Sequence, residues 1–164
     1  MTNKKPALLC LNTGSSSVKF SLYAVDDHLP RLVLGGQIEG LLGQPYFKVC
    51  DVAGVVLDER RWDAPKRRAE AVEIILGFVH QQAASYRLTA VGHRVVLGGV
   101  EYPHSVIVDD AVLGVLDHYC PIVPSHQPAE VEGIRVLRES HPDLLQVACF
   151  DSAFHRTKSE LADL

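Results

Sequence analysis

The run Leu8-Leu9-Cys10-Leu11-Asn12-Thr13-Gly14-Ser15-Ser16-Ser17-Val18-Lys19-Phe20-Ser21-Leu22-Tyr23 limits the folds open to this chain more than any other stretch. Ala7 to Leu11 is apolar without alternation and stops at the turn signal Asn12-Thr13-Gly14, the pattern of a short strand buried on both faces. The next run alternates: Val18, Phe20 and Leu22 share one face, so Ser17, Lys19 and Ser21 occupy the other. Carried back to Ser15, that parity gathers hydroxyls and an ammonium beside a glycine that lets backbone approach a ligand. Such a set is the chemistry of a phosphate cradle. The same spacing also describes a hairpin whose serines satisfy the turn and whose lysine sits in water. A Walker loop is excluded, because G-x-x-x-x-G-K-[ST] is absent and no helix signal follows.

The rest of the chain continues as strands and then changes character. Arg31 to Leu42, Pro45 to Asp51 and Val55-Val56-Leu57 read as strands, the last two separated by the turn residues Ala53-Gly54. Short turns between consecutive strands imply an antiparallel or mixed start to a sheet. Asp63-Ala64-Pro65 makes a helix entry with Asp63 as cap, and Val72, Ile75, Leu76, Val79 and Ala83 recur at helical spacing through Lys66 to Tyr86. Thr89 to Val96 is a strand ending at Leu97-Gly98-Gly99, and Val106 to Val108 adds a brief one. Asp109 caps a short helix carrying Val112, Leu113 and Leu116; Pro128 opens another carrying Val131, Ile134 and Leu137; Leu144 to Phe150 is a strand that stops at Asp151. Strands first, then helix, strand, helix, strand, predict an α/β sandwich around a mixed sheet.

At 164 residues the chain suffices for one domain with a real core, not for two of ordinary size. A net charge of −4 gives no general basic field for nucleic acid or anionic membrane, so any phosphate site is local. No apolar run approaches a membrane span, and Met1-Thr2-Asn3-Lys4-Lys5-Pro6 leads directly into a strand, so the expected compartment is the cytoplasm. Cys10, Cys50, Cys120 and Cys149 lack C-x-x-C spacing, which argues against a zinc site or a disulfide framework; Cys10 and Cys149 read as small core residues.

Three residues stand out as carriers of chemistry. Arg94 follows an apolar strand and precedes a glycine pair, so its fork can grip a carboxylate or phosphoryl group at two points, or pair with a surface acid. Asp151 lies just after a strand, where open α/β sheets expose ligand-binding groups, and equally where a helix cap belongs. His126 can donate to charge on phosphoryl oxygens or serve the loop structurally. His93 and His155 are read as scaffold.

Four stretches resemble the motifs of the acetate kinase (acetokinase) family, in that family's order. They are Asn12-Thr13-Gly14-Ser15-Ser16-Ser17-Val18-Lys19-Phe20, Gly92-His93-Arg94-Val95-Val96-Leu97-Gly98-Gly99, Pro124-Ser125-His126-Gln127-Pro128 and Phe150-Asp151-Ser152-Ala153-Phe154-His155. The resemblance implies an RNase H-like, actin-related α/β fold and reversible phosphoryl transfer from ATP to acetate with Mg²⁺. It implies Asp151, Arg94 and His126 as catalytic residues and Arg94, Val96 and Ser125 at the substrate. Ser15, Ser17 and Lys19 would meet the ATP phosphates, and Asn12 would lie near the metal.

Such a division of labour suits a reaction catalysed by positioning and charge stabilisation. Since a short-chain acid with a pKa of roughly 4 to 5 is already ionised at neutral pH, Asp151 is better suited to placing metal-bound water or substrate than to acting as a general base. Leu97 stands where the family has histidine, and Ser125 and Gln127 where leucine and asparagine are usual. Ser125 would loosen an apolar wall, which opens propionate or another short-chain carboxylate as substrate. Family members carry a second domain, so the resemblance implies that residues 1–164 form the single N-terminal domain of a two-domain kinase, inactive alone, whose full-length form is a homodimer. A non-catalytic phosphate- or nucleotide-binding module is the alternative of a different class.

Overall fold

In the computed structural model, which describes residues 4–26, 29–82 and 85–155, one sheet of eight strands runs through the molecule in the order β5-β4-β3-β2-β1-β6-β8-β7. The strands are β1 (Lys5–Thr13), β2 (Ser17–Asp26), β3 (Leu29–Glu39), β4 (Tyr46–Asp51), β5 (Val56–Arg61), β6 (Tyr86–Val95), β7 (Val106–Ile107) and β8 (Leu145–Phe150); the helices are α1 (Arg68–Gln82), α2 (Asp110–Tyr119), α3 (Gln127–Ser140) and α4 (Asp151–His155). The first five strands form an antiparallel meander, as their short turns require. β1 pairs in parallel with β6, and β6 with β8, with α1 in the first connection and α2 and α3 in the second. The α/β mixed sheet is therefore as expected.

Strand parity sets the core. Leu9 and Leu11 of β1, Val18, Phe20 and Leu22 of β2, Ile38 of β3, Phe47 of β4 and Val91 of β6 are buried together against Val72, Ile75 and Leu76 of α1. A second cluster joins Val95, Ala148 and Phe150 to Leu116 of α2 and Val131 and Ile134 of α3. All of these strand residues point to one face. The residues between them form the other face, which no helix covers among the described residues.

That asymmetry corrects two expectations. β1 is buried on one face only: Ala7, Leu9 and Leu11 are covered, whereas Cys10 is exposed. Cys149 is likewise exposed, so neither thiol is a core residue. Apolar neighbours in sequence carry no information about which face is roofed.

Several boundaries also move. β3 ends at Glu39 instead of Leu42 because Gly40 turns the chain with φ of 70°. α1 begins at Arg68, and Asp63 does not cap it; Glu70 accepts from the Arg67 backbone N–H (3.0 Å) and serves that first turn. The expected helix through Tyr86 is cut short because Tyr86 pairs with Lys5 and starts β6, three residues before the expected Thr89. Ala83 lies outside the described residues, as do residues 1–3 and 156–164 and the side chain of His155. Asp109 caps α2 as expected, accepting from Val112 N–H at 2.8 Å. Pro128 is the second residue of α3, after Gln127.

Candidate active site

The open face is the site's floor. Cross-strand register sets Asn12 opposite Lys19, Lys19 opposite Gln37 and Gln37 opposite Lys48, a polar row across four strands. Beside it lies a row of small residues, Cys10, Ser21, Gly35 and Cys50, which deepens the sheet into a trough. Asn12, Lys19, Lys48, Arg94, Cys10, Cys149 and Gly92 are among the residues lining this cavity of about 600 Å³. Its lining holds three cations and no carboxylate, although the whole chain is net acidic. A local anion site is thereby favoured.

At the trough's rim, Arg94 and Asp151 meet, 57 residues apart in sequence. Arg94 donates from Nε to both carboxylate oxygens (3.0 and 3.1 Å) and from Nη2 to Oδ2 (2.7 Å). The pair is half exposed, and the carboxylate holds the guanidinium's pKa above its ordinary value. Asp151 reaches this position because β8 runs parallel beside β6 and ends at Phe150, which pairs with Val95, so that Asp151 is the next residue and opens α4.

The segment after Arg94 is fixed from α3. Glu130 accepts from Val96 N–H at 2.9 Å; Gln127 accepts from Leu97 N–H (3.1 Å) and donates to Leu97 carbonyl (2.9 Å). Gly98 packs so tightly on Phe150 that an added Cβ would come within 2.7 Å of its ring. Glu130 is 3% exposed. Burial pushes its carboxyl above the usual range, against the Val96 N–H and the charge of Arg94, which favour the ionised form; Asp151 adds to the rise.

Asn12, Lys19 and Arg94 thus line one cavity, with Asp151 bound to Arg94 at its edge. Ser15, in the turn, and Ser17, at the start of β2, sit beyond the cavity lining, as do Val96, Ser125 and His126. His126 precedes α3, exposed and making no capping bond, close enough to Glu130 to affect its charge. His93 is scaffold as expected: 2% exposed, with Nε2 2.8 Å from the Gln146 carboxamide, its pKa lowered by burial to about 4.

Sequence reasoning missed Glu130, assigned no bonding role to Gln127, and missed Arg68, whose side chain reaches the Gly14 and Ser15 carbonyls. A signal existed. Gln127 and Glu130 share the helical stripe of Val131, Ile134 and Leu137, and Arg68 shares that of Ala71, Val72 and Ile75. Polar residues on a buried stripe need partners.

This fold is an α/β domain of the RNase H-like, actin-related class, and solved carboxylate kinases share it. A propionate kinase from Francisella tularensis subsp. tularensis SCHU S4 superposes with a TM-score of 0.82 at 29% identity, covering 95% of this chain and 39% of that one. Porphyromonas gingivalis acetate kinase gives a TM-score of 0.80 at 30% identity, covering 95% and 40%. The acetokinase family model matches residues 7–164, and the chain belongs to that family. It is 37% identical over 157 residues to an acetate kinase of Rhodopseudomonas palustris (strain TIE-1), covering 94% of this chain and 39% of that protein. With the Rhizobium meliloti acetate kinase it shares 36% identity over 163 residues, covering 96% and 40%. The chain spans about two fifths of the length of these relatives.

Proposed function

We propose that this chain is the N-terminal domain of an acetate kinase, moving the γ-phosphoryl group of ATP reversibly to acetate to give acetyl phosphate and ADP. Residues 1–164 form its first domain, and a C-terminal domain completes the cleft. The observation that carries this reading is the two-point Arg94–Asp151 pair at the rim of a cavity lined by Lys19 and Asn12.

Arg94 spends Nε and Nη2 on Asp151, and Nη1 has no bonding partner among the described residues. Its outer edge is available to hold the acid's carboxylate while Asp151 fixes the guanidinium plane. The acid is already ionised at neutral pH and needs no base, so Asp151 serves position. Val96, with its N–H held by Glu130, and Ser125 flank the acid; Lys19, Ser15 and Ser17 hold the nucleotide phosphates; His126 donates to charge building on the transferring oxygens.

The described residues contain no cluster of three or more His, Cys, Asp or Glu able to cage a metal. The oxygen donors at the cavity fit Mg²⁺, which prefers phosphate and water oxygens with one or two protein ligands: Asn12, whose amide oxygen is a neutral hard donor, lines the cavity, and Asp151 is held at its edge by Arg94. When bound, the ion neutralises phosphate charge. The expected homodimer and cytoplasmic location belong to the same proposal. No described helix is long and apolar enough to cross a membrane.

Mixing the chain with the C-terminal portion of the R. palustris enzyme tests the reading. Neither piece alone should give acetate-dependent ADP release, the mixture should, and Arg94→Ala should lower that activity at least about 100-fold. No rescue, together with ATP binding by the chain alone, would favour the non-catalytic module. A second reading, a propionate kinase, is supported by the superposition on the F. tularensis enzyme and by the small, polar Ser125 at a position where the family usually has leucine. A higher kcat/KM for propionate than for acetate in the restored mixture would select it.

A further inference from the structure

The β1–β2 turn presents two consecutive carbonyls to one guanidinium. Arg68, at the start of α1, donates from Nε to Gly14 O (3.4 Å) and from Nη2 to Ser15 O (3.3 Å), while Nη1 pairs with Glu132 of α3. Its side chain is only 15% exposed, whereas Ser15 and Ser16 are exposed.

Peptide planarity turns those contacts into an orientation. In a trans peptide the N–H points opposite to the carbonyl of the same plane. With the Gly14 and Ser15 carbonyls turned toward Arg68, the N–H groups of Ser15 and Ser16 point away from it. Neither donates a hydrogen bond within the described residues, although the neighbouring Gly14 N–H bonds Ser17 O at 2.8 Å and Ser16 O accepts from Leu41 N–H at 3.0 Å. Two successive unpaired N–H groups on one side of a turn make a concave nest for an anionic oxygen.

We propose that Arg68 is the positioning residue of the phosphate site, holding the Gly14 and Ser15 carbonyls back so that the Ser15 and Ser16 amides face a phosphate or pyrophosphate group; this rests on the phosphate-binding reading above. A lone apolar contact would join α1 to the turn but leave both peptide planes free to rotate. Carbonyl oxygens would then face the anion and repel it. The guanidinium fork suppresses that rotation because it takes both oxygens at once, which an ammonium does less well. Glu132 balances its charge without touching the turn carbonyls.

Titration of the ¹⁵N-labelled chain with pyrophosphate at fixed ionic strength tests this. Wild type should bind with shifts centred on the Ser15 and Ser16 amides. Arg68→Met should weaken binding about ten-fold or more, and Arg68→Lys, the variant to use should Arg68→Met fail to fold, by a few-fold. Glu132→Gln breaks the same ion pair but leaves the carbonyl contacts, so its affinity should stay within about two-fold of wild type even if its unfolding midpoint drops as far as that of Arg68→Met. Wild-type affinity in both Arg68 variants, or equal losses in Arg68→Met and Glu132→Gln, overturns the positioning role while leaving the phosphate reading intact. Absence of pyrophosphate binding in wild type overturns both.

Discussion

The two faces of the sheet are made from alternate residues of the same strands, yet they obey different rules. On the face under α1, α2 and α3, Leu9, Val18, Phe20 and Ile38 are almost wholly removed from water, and even the polar members, His93 and Gln146, bond each other. On the open face, one residue along each strand, the trough is lined by small or hydrogen-bonding side chains such as Cys10, Asn12, Lys19, Ser21 and Gln37. The covered face supplies rigidity, while the uncovered face and the strand ends carry the groups able to hold an anion. Stability and binding are therefore separable by single steps along a strand.

The sharpest way to break that comparison is a pair of neighbouring substitutions in β1. Leu9→Ala removes a fully buried side chain and should cost about 2 to 5 kcal/mol in urea unfolding, the range for a core leucine that leaves a cavity. Cys10→Ala, on the exposed side, should cost about 0.5 kcal/mol or less. Similar losses from both would mean that the open face is roofed in solution.

Next in size is the acid response of the covered face. Unfolded His93 takes its proton near pH 6.5, but in the fold burial holds the imidazole neutral until about pH 4. The unfolded state thus binds more protons between these values, so the stability linked to neutral His93 is complete above pH 6.5 and lost as pH falls toward 4. The gap corresponds to about 3 kcal/mol. Stability measured against pH in wild type and His93→Gln should show a clearly flatter acid limb in the variant. Parallel curves would place His93 in contact with solvent.

The same contrast explains what was readable in the chain. The alternation of Val18, Phe20 and Leu22 with Ser17, Lys19 and Ser21 gave the register of β2 because period-two patterning and burial are one signal there. The helical stripes of α2 and α3 were legible for the same reason, as was Asp109, whose side chain acts within its own turn. The meeting of Arg94 and Asp151 was expected only through family resemblance, since nothing local links residues 57 apart. What stayed hidden depends on layers: Cys10 and Cys149 sit in apolar runs, and only the missing roof exposes them. Glu130 and Arg68 were overlooked because a charge near a helix start ordinarily reads as surface, whereas here each reaches a backbone group of a distant loop.

The finest test of the open face uses those thiols. Cys10 and Cys149 both line the trough, and Gly92, which sits across from Cys10 in the neighbouring strand, contributes no side chain to cover it. Burial by the trough walls pushes the Cys10 thiol above its ordinary pKa, and the charge of a Cys149 thiolate pushes it further in the same direction. Iodoacetamide, followed by peptide mapping, should therefore label Cys10 in the folded protein, but more slowly near pH 8 than a free thiol, because less of it is thiolate. Cys149→Ser removes the smaller of the two effects and should accelerate Cys10 labelling measurably, by about two- to three-fold near pH 9, with no change in the unfolding midpoint. Complete protection of Cys10 would show the trough closed, and an unchanged rate in Cys149→Ser would show that the two thiols do not share its floor.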